Sequence, residues 1–225
     1  MSVPCVGSVN ALVGSAAAAA LLCGTAFGQA VYTDSTGDLF DNGFTNLDIR
    51  EVSVSHDATN LYITVETVGY QNWTKYMFYF DTGVGGTTSN GWGRPVNLTR
   101  EISHYAGSWV DAPSDNAQLW SWSDGWNQVS TISNDQSQTG ANRVSWAFSL
   151  SWLGVGVGNT IFFDIATSGG GGNDPGVDHL SRSDLATTFW DQPSTSGNFL
   201  AYTVPAPGVV AVLALAGLAG SRRRN

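Results

Sequence analysis

Apolar and polar residues alternate at period two through the middle of the chain, as they do in strands with one buried face. Leu61, Ile63 and Val65 fall on one side of a segment whose other side is Tyr62, Thr64 and Glu66. Tyr76, Phe78 and Phe80 repeat the pattern, and Trp146, Phe148, Leu150 and Trp152 alternate with Ser145, Ala147, Ser149 and Ser151. That last run predicts a half-buried strand with both Trp146 and Trp152 in the core. Residues 161–165 are apolar on both sides apart from Asp164 and predict an interior strand. No stretch between residues 31 and 203 sustains a helical apolar stripe, although 181–188 could hold a short turn. Short strands bounded by Gly, Asn, Asp and Ser predict an all-β fold, an antiparallel β-sandwich or jelly roll. Gly-rich stretches at 82–93 and 169–172 predict long loops, the usual place for binding residues.

The two ends follow a different pattern. Residues 11–24 form an apolar stretch containing Ala16-Ala17-Ala18-Ala19-Ala20-Leu21-Leu22, followed by the small residues of Gly28-Gln29-Ala30. Residues 1–30 therefore read as a secretory signal helix, although no Lys or Arg precedes the apolar stretch. A lipid-modified Cys23 fits less well, because bulky Leu22 precedes it. At the other end, Val204-Pro205-Ala206-Pro207-Gly208 leads into the apolar run 209–220 and then Ser221-Arg222-Arg223-Arg224-Asn225. Such a run is short for a bilayer core of about 30 Å, but a tilted or thinned fit can hold it, with the arginines on the cytoplasmic side. This tripartite tail, 204–225, resembles the PEP-CTERM sorting signal of Gram-negative bacteria, with Pro-Ala-Pro in place of Pro-Glu-Pro. The resemblance implies an exosortase-like processing enzyme as a partner and a cell-surface or extracellular destination. A plain C-terminal membrane anchor is the alternative. The body between the two signals is one β-sandwich domain, 31–203.

Composition narrows the chemistry of that body. Only 12% of the 225 residues are charged, against about 25% in an ordinary globular domain. The body carries all 18 acidic residues but six of the nine basic ones, and Lys75 is its one lysine. Such a charge balance excludes a nucleic-acid phosphate binder and suits divalent cations. Both cysteines, Cys5 and Cys23, precede residue 31. Disulfides, thiol catalysis and Cys-ligated zinc are therefore excluded from the body.

The order of segments carries a family resemblance. Asp34-Ser35-Thr36-Gly37-Asp38 is followed by Leu47-Asp48-Ile49-Arg50-Glu51-Val52-Ser53-Val54-Ser55-His56-Asp57, then Asn60-Leu61-Tyr62-Ile63-Thr64-Val65, Phe78-Tyr79-Phe80-Asp81-Thr82, and the runs 146–154 and 161–167. This succession resembles the DOMON-like superfamily, which includes family 9 carbohydrate-binding modules. The resemblance implies a β-sandwich that binds sugar or, in some members, haem held by Met and His. Met77 is the body's one methionine, and a single strand methionine reads more simply as core filling.

Nine tryptophans point first to carbohydrate, because a flat indole stacks on the C–H face of a sugar ring. Core packing is the competing use of each. In the hairpin 120–129, a two-residue Asp124-Gly125 turn would pair Ser123 with Trp126 and place Trp120, Trp122 and Val129 on the core side. Trp126 would then stand exposed beside Ser121 and Gln128; a three-residue loop would exchange the faces. Trp92, between Gly91 and Gly93, is the second candidate for a binding platform, and Trp109 the third.

Asp34, Asp38 and Asp41 form a candidate calcium loop by their oxygen chemistry, against which stand ordinary solvated Asx turns. The EF-hand pattern fails, since Leu39 and Thr45 occupy its glycine and glutamate positions. Asn173, Asp174 and Asp178 make a second acidic group. No G-x-S-x-G, P-loop or H-E-x-x-H motif occurs. His56, His104 and His179 are dispersed, and Glu51, Glu66 and Glu101 are the only glutamates. The expectation is an exported, surface-attached, non-catalytic protein that binds glycan or polysaccharide matrix through exposed Trp. The alternatives are a structural surface protein without a small ligand and, third, a polysaccharide-active enzyme.

Overall fold

A computed structural model of the chain describes residues 28–83 and 85–205. All but the last residues of the expected signal, and the apolar tail from residue 206, lie outside the described residues. Within them no helix is long and apolar enough to cross a membrane. The body is all-β, with one 3-10 turn at Thr139–Ala141.

Two antiparallel sheets face each other. The first has four strands in the order β1-β2-β3-β9: β1 Ala30–Thr33, β2 Ile49–His56, β3 Asn60–Thr67 and β9 Arg143–Ser149. The second is built on β10 Thr160–Ser168, β4 Lys75–Asp81, β6 His104–Trp109, β7 Ala117–Trp122 and β8 Trp126–Ile132, adjacent in that order. Its far edge, beyond β10, is shared by β11 Asp178–His179 and β13 Leu200–Thr203. A small parallel pair joins β5 Val96–Asn97 to β12 Ser194–Thr195.

The core between the sheets follows the alternation. Leu61, Ile63 and Val65 of β3 meet Tyr76, Phe78 and Phe80 of β4 in one buried cluster. Trp146 of β9 lies 4.9 Å from Tyr76 and 4.8 Å from Phe78 by ring centroid, and its Nε1 donates to Ser108 Oγ at 2.9 Å. Its polar edge is thus satisfied where the indole is buried.

Three expectations are corrected. Trp152 is 44% exposed, because β9 stops at Ser149 and the chain turns, so the period-two rule no longer applies. Trp122 pairs with Trp126 across the three-residue loop Ser123-Asp124-Gly125, with Asp124 at φ 55°. Trp122 therefore shares a face with Trp126, and Trp120 pairs with Tyr105, so Trp120 and Trp122, expected in the core, lie with Trp126 on the outer face of the sheet. Val129, expected in the core, is 43% exposed. It is the extra residue of a bulge between the Leu119–Ser130 and Trp120–Gln128 pairs.

The outer face of the larger sheet is also covered. Met77, Tyr79 and Tyr105 point away from the inter-sheet core yet are fully buried. They form a second cluster with Val96, Leu98 and Ile102 from the connection between β4 and β6. The Gly-rich stretch is therefore a lid on the sheet. Gly91 permits its close approach: a Cβ there would sit 2.8 Å from Tyr105 Cδ1 and 3.1 Å from Trp120 Cγ.

Candidate functional site

The strand registers bring Ser168, Lys75 and Trp109 onto one rung of the larger sheet, at the end where β4 begins and β6 and β10 finish. Above that rung opens a cleft of about 490 Å³ lined by Lys75, Trp92, Arg94, Trp109, Asp111 and Gly172. Trp92 and Trp109, 17 residues apart in sequence, face this common space with centroids 6.4 Å apart and planes inclined by 33°. Trp92 lies on Gly107, where a Cβ would collide with its ring. Its Nε1 donates to Gln118 Oε1 at 3.1 Å.

Polar groups ring the two indoles. Lys75 Nζ donates to Asp111 Oδ2 at 3.1 Å, with the lysine side chain mostly covered and the aspartate half exposed. Buried Arg94 lies 5.2 Å from the Trp92 centroid, while one of its terminal nitrogens donates to Ser168 Oγ and to the carbonyls of Gly169 and Asp174. The cleft thus offers flat apolar walls with donors and one acceptor at the rim, the composition expected of a pocket that orients a small polar ring.

Trp126 does not line this cleft. It is half-buried, its Nε1 donates to Ser89 Oγ at 3.1 Å, and its ring contacts Trp122 at 5.5 Å and Tyr105 at 6.1 Å. Tyr105 in turn lies 5.8 Å from Trp92. The three candidate tryptophans therefore belong to one continuous aromatic strip across the outer face, with Trp92 and Trp109 at the cleft.

The acidic candidates regroup. Asp41 is exposed and its Oδ1 accepts from Gly43 N, as in an ordinary Asx turn. Asp38 instead meets Asp48 and Asp178: one oxygen from each lies within 4.8 Å of the others. Asp34 is close enough to feel the same charges. Burial first, then the charges of Asp38, Asp164 and Asp48, push its carboxyl up to about 8, while the Ser35 amide pulls the other way. Asp178 is raised chiefly by burial and then by Asp34. Asp174, the other member of the second acidic group, caps Gly171 N in the 169–172 loop.

A further constellation had no sequence signal. His179 Nδ1 lies 2.7 Å from Asp164 Oδ2 and its Nε2 3.2 Å from Ser194 Oγ. The order matches a Ser-His-Asp triad, but all three residues are fully buried. Ser194 Oγ also accepts from Gly176 N at 3.1 Å. As it stands, this network ties β11 and β12 to β10.

No protein-family model matches the chain, and no curated protein is significantly similar to it.

Proposed function

We propose that this protein is an exported, surface-attached glycan-binding protein without catalytic activity. The observation that carries the reading is the cleft in which Trp92 and Trp109 converge beside the Lys75–Asp111 pair. Sugar C–H faces stack on the indoles, and the rim groups bond ring hydroxyls and fix orientation. Asp111 is the one carboxylate among the cleft residues, whereas glycoside hydrolysis uses a facing pair. The buried Ser194, His179 and Asp164 give a substrate no approach to the serine. The DOMON-like resemblance of the strand succession is in keeping with sugar binding, and the signal-like ends with an envelope or extracellular location. The ligand is a polysaccharide chain, with Trp126 extending the contact for longer polymers.

The test is retention of the purified protein on a glycan array and on insoluble polysaccharides, with Trp109→Ala and Trp92→Ala beside the natural sequence. Selective retention that falls roughly tenfold or more in Trp109→Ala, as truncation of a central aromatic anchor does, supports the reading. No retention on any polysaccharide overturns it in favour of a structural surface protein.

A further inference from the structure

Asp34, Asp38 and Asp48 lie in the β1–β2 connection, Asp48 directly before β2, and Asp178 opens β11 at the edge of the other sheet. One oxygen from each of Asp38, Asp48 and Asp178 lies within 4.8 Å of the others. Asp48 is 4% exposed and Asp178 2%. Backbone amides satisfy only part of the group. Gly37 N donates to Asp48 Oδ2 at 2.9 Å, Ile49 N to Asp178 Oδ2 at 2.7 Å, and His179 N to Asp178 Oδ1 at 2.8 Å. Asp48 Oδ1, both oxygens of Asp38 and Asp34 Oδ2 are shielded from solvent and receive no hydrogen bond. None of the ion pairs among the described residues involves these four. Arg50 and Arg182, the cations whose charges act on Asp48 and Asp38, are bonded to Glu66 and Asp184.

Converging buried carboxylates with orphaned oxygens are costly unless a positive charge compensates them. We propose that Asp38, Asp48 and Asp178 bind a calcium ion that staples the β1–β2 connection to the edge strand of the opposite sheet. The donor set is all carboxylate oxygen, which selects a hard cation over zinc or copper. Irregular carboxylates drawn from a loop and a distant edge strand suit the flexible shell of calcium, with bonds of about 2.3–2.6 Å, better than the strict octahedron of magnesium. The site shares no residue with the Trp92–Trp109 cleft, so variants of the one test it separately from the glycan reading.

The test uses the full chain stripped with EDTA and titrated with CaCl₂ or MgCl₂, following heat of binding and melting temperature. The expected result is one calcium site and a melting temperature that climbs with calcium concentration, as binding to the folded state alone requires. Asp38→Asn and Asp48→Asn should each weaken calcium by about tenfold or more, whereas Asp41→Asn should leave it unchanged. No other residue donates a hydrogen bond to the Asp38 carboxylate, so Asp38→Asn should melt no lower than the stripped natural chain. That variant keeps the test decisive if Asp48→Asn fails to fold. Absence of both heat and melting shift at millimolar calcium, a preference for magnesium, or equal loss in Asp41→Asn would overturn the assignment.

Discussion

At the scale of single residues, the cleft depends on an absent side chain. Gly107 lies in the middle of β6 between Met77 and Gln118, and the Trp92 indole occupies the space its Cβ would fill. The backbone there is ordinary strand, so alanine brings no conformational strain and reports on the indole alone. Gly107→Ala should cost about 1–3 kcal/mol in urea unfolding, the usual penalty for overpacking a close contact. It should also change the near-UV circular dichroism of the aromatic strip and reduce glycan retention together with Trp92→Ala. A neutral Gly107→Ala would mean that Trp92 is not seated on the sheet.

At the scale of elements, the β2–β3 hairpin is fastened by one carboxylate. Asp57 Oδ1 accepts from Thr59 N and Asn60 N, both at 2.7 Å, and Oδ2 from Tyr62 Oη at 2.6 Å. The Tyr62 hydroxyl first, then the two amides, hold its pKa well below the ordinary value of 3.8. A carboxylate that is more acidic when folded stabilises the protein above its unfolded pKa and loses that contribution as pH falls. The stability contributed by this turn should therefore be intact at pH 6 and decline below about pH 4. Asp57→Asn should flatten that acid limb in pH-dependent melting, and an unchanged limb would show the turn to be unimportant there. The same hairpin marks what the sequence made legible. Leu61, Ile63 and Val65 could be placed because one face of β3 meets the core and the other does not. Met77, Tyr79 and Tyr105 could not, because a loop covers the outer face and burial on both sides erases the contrast that period two detects. Trp120 and Trp122 were put on the wrong face through one uncertainty, the length of the turn around Asp124-Gly125, since a one-residue slip exchanges faces. The grouping of Asp48 and Asp178 with Asp38 was out of reach for another reason. Local spacing singled out Asp34, Asp38 and Asp41, whereas the structure gathers carboxylates 10 and 140 residues away from Asp38.

At the scale of the whole molecule, charge separates two ways of holding a polysaccharide. The body sets 18 acidic residues against six basic ones, so its long-range field repels anionic polymers. Of the basic six, Lys75 and Arg94 stand at the cleft, with Lys75 already paired to Asp111. Stacking on Trp92 and Trp109 is short-ranged and indifferent to screening, whereas attraction between exposed charges fades once the Debye length falls from about 10 Å at 0.1 M salt toward 3 Å at 1 M. Retention on a neutral polysaccharide should therefore change by less than about twofold between roughly 50 and 500 mM NaCl, judged by this screening. An uncharged ligand of that kind leaves the acidic surface free to keep the protein soluble. An anionic polysaccharide should be retained poorly at low salt and no worse at high salt, because screening relieves the repulsion. Depletion binding across the salt series, run in EDTA so that divalent cations cannot bridge protein and polymer, measures both. Retention that collapses with salt would transfer the recognition from the indoles to Lys75 and Arg94, making an acidic sugar the ligand.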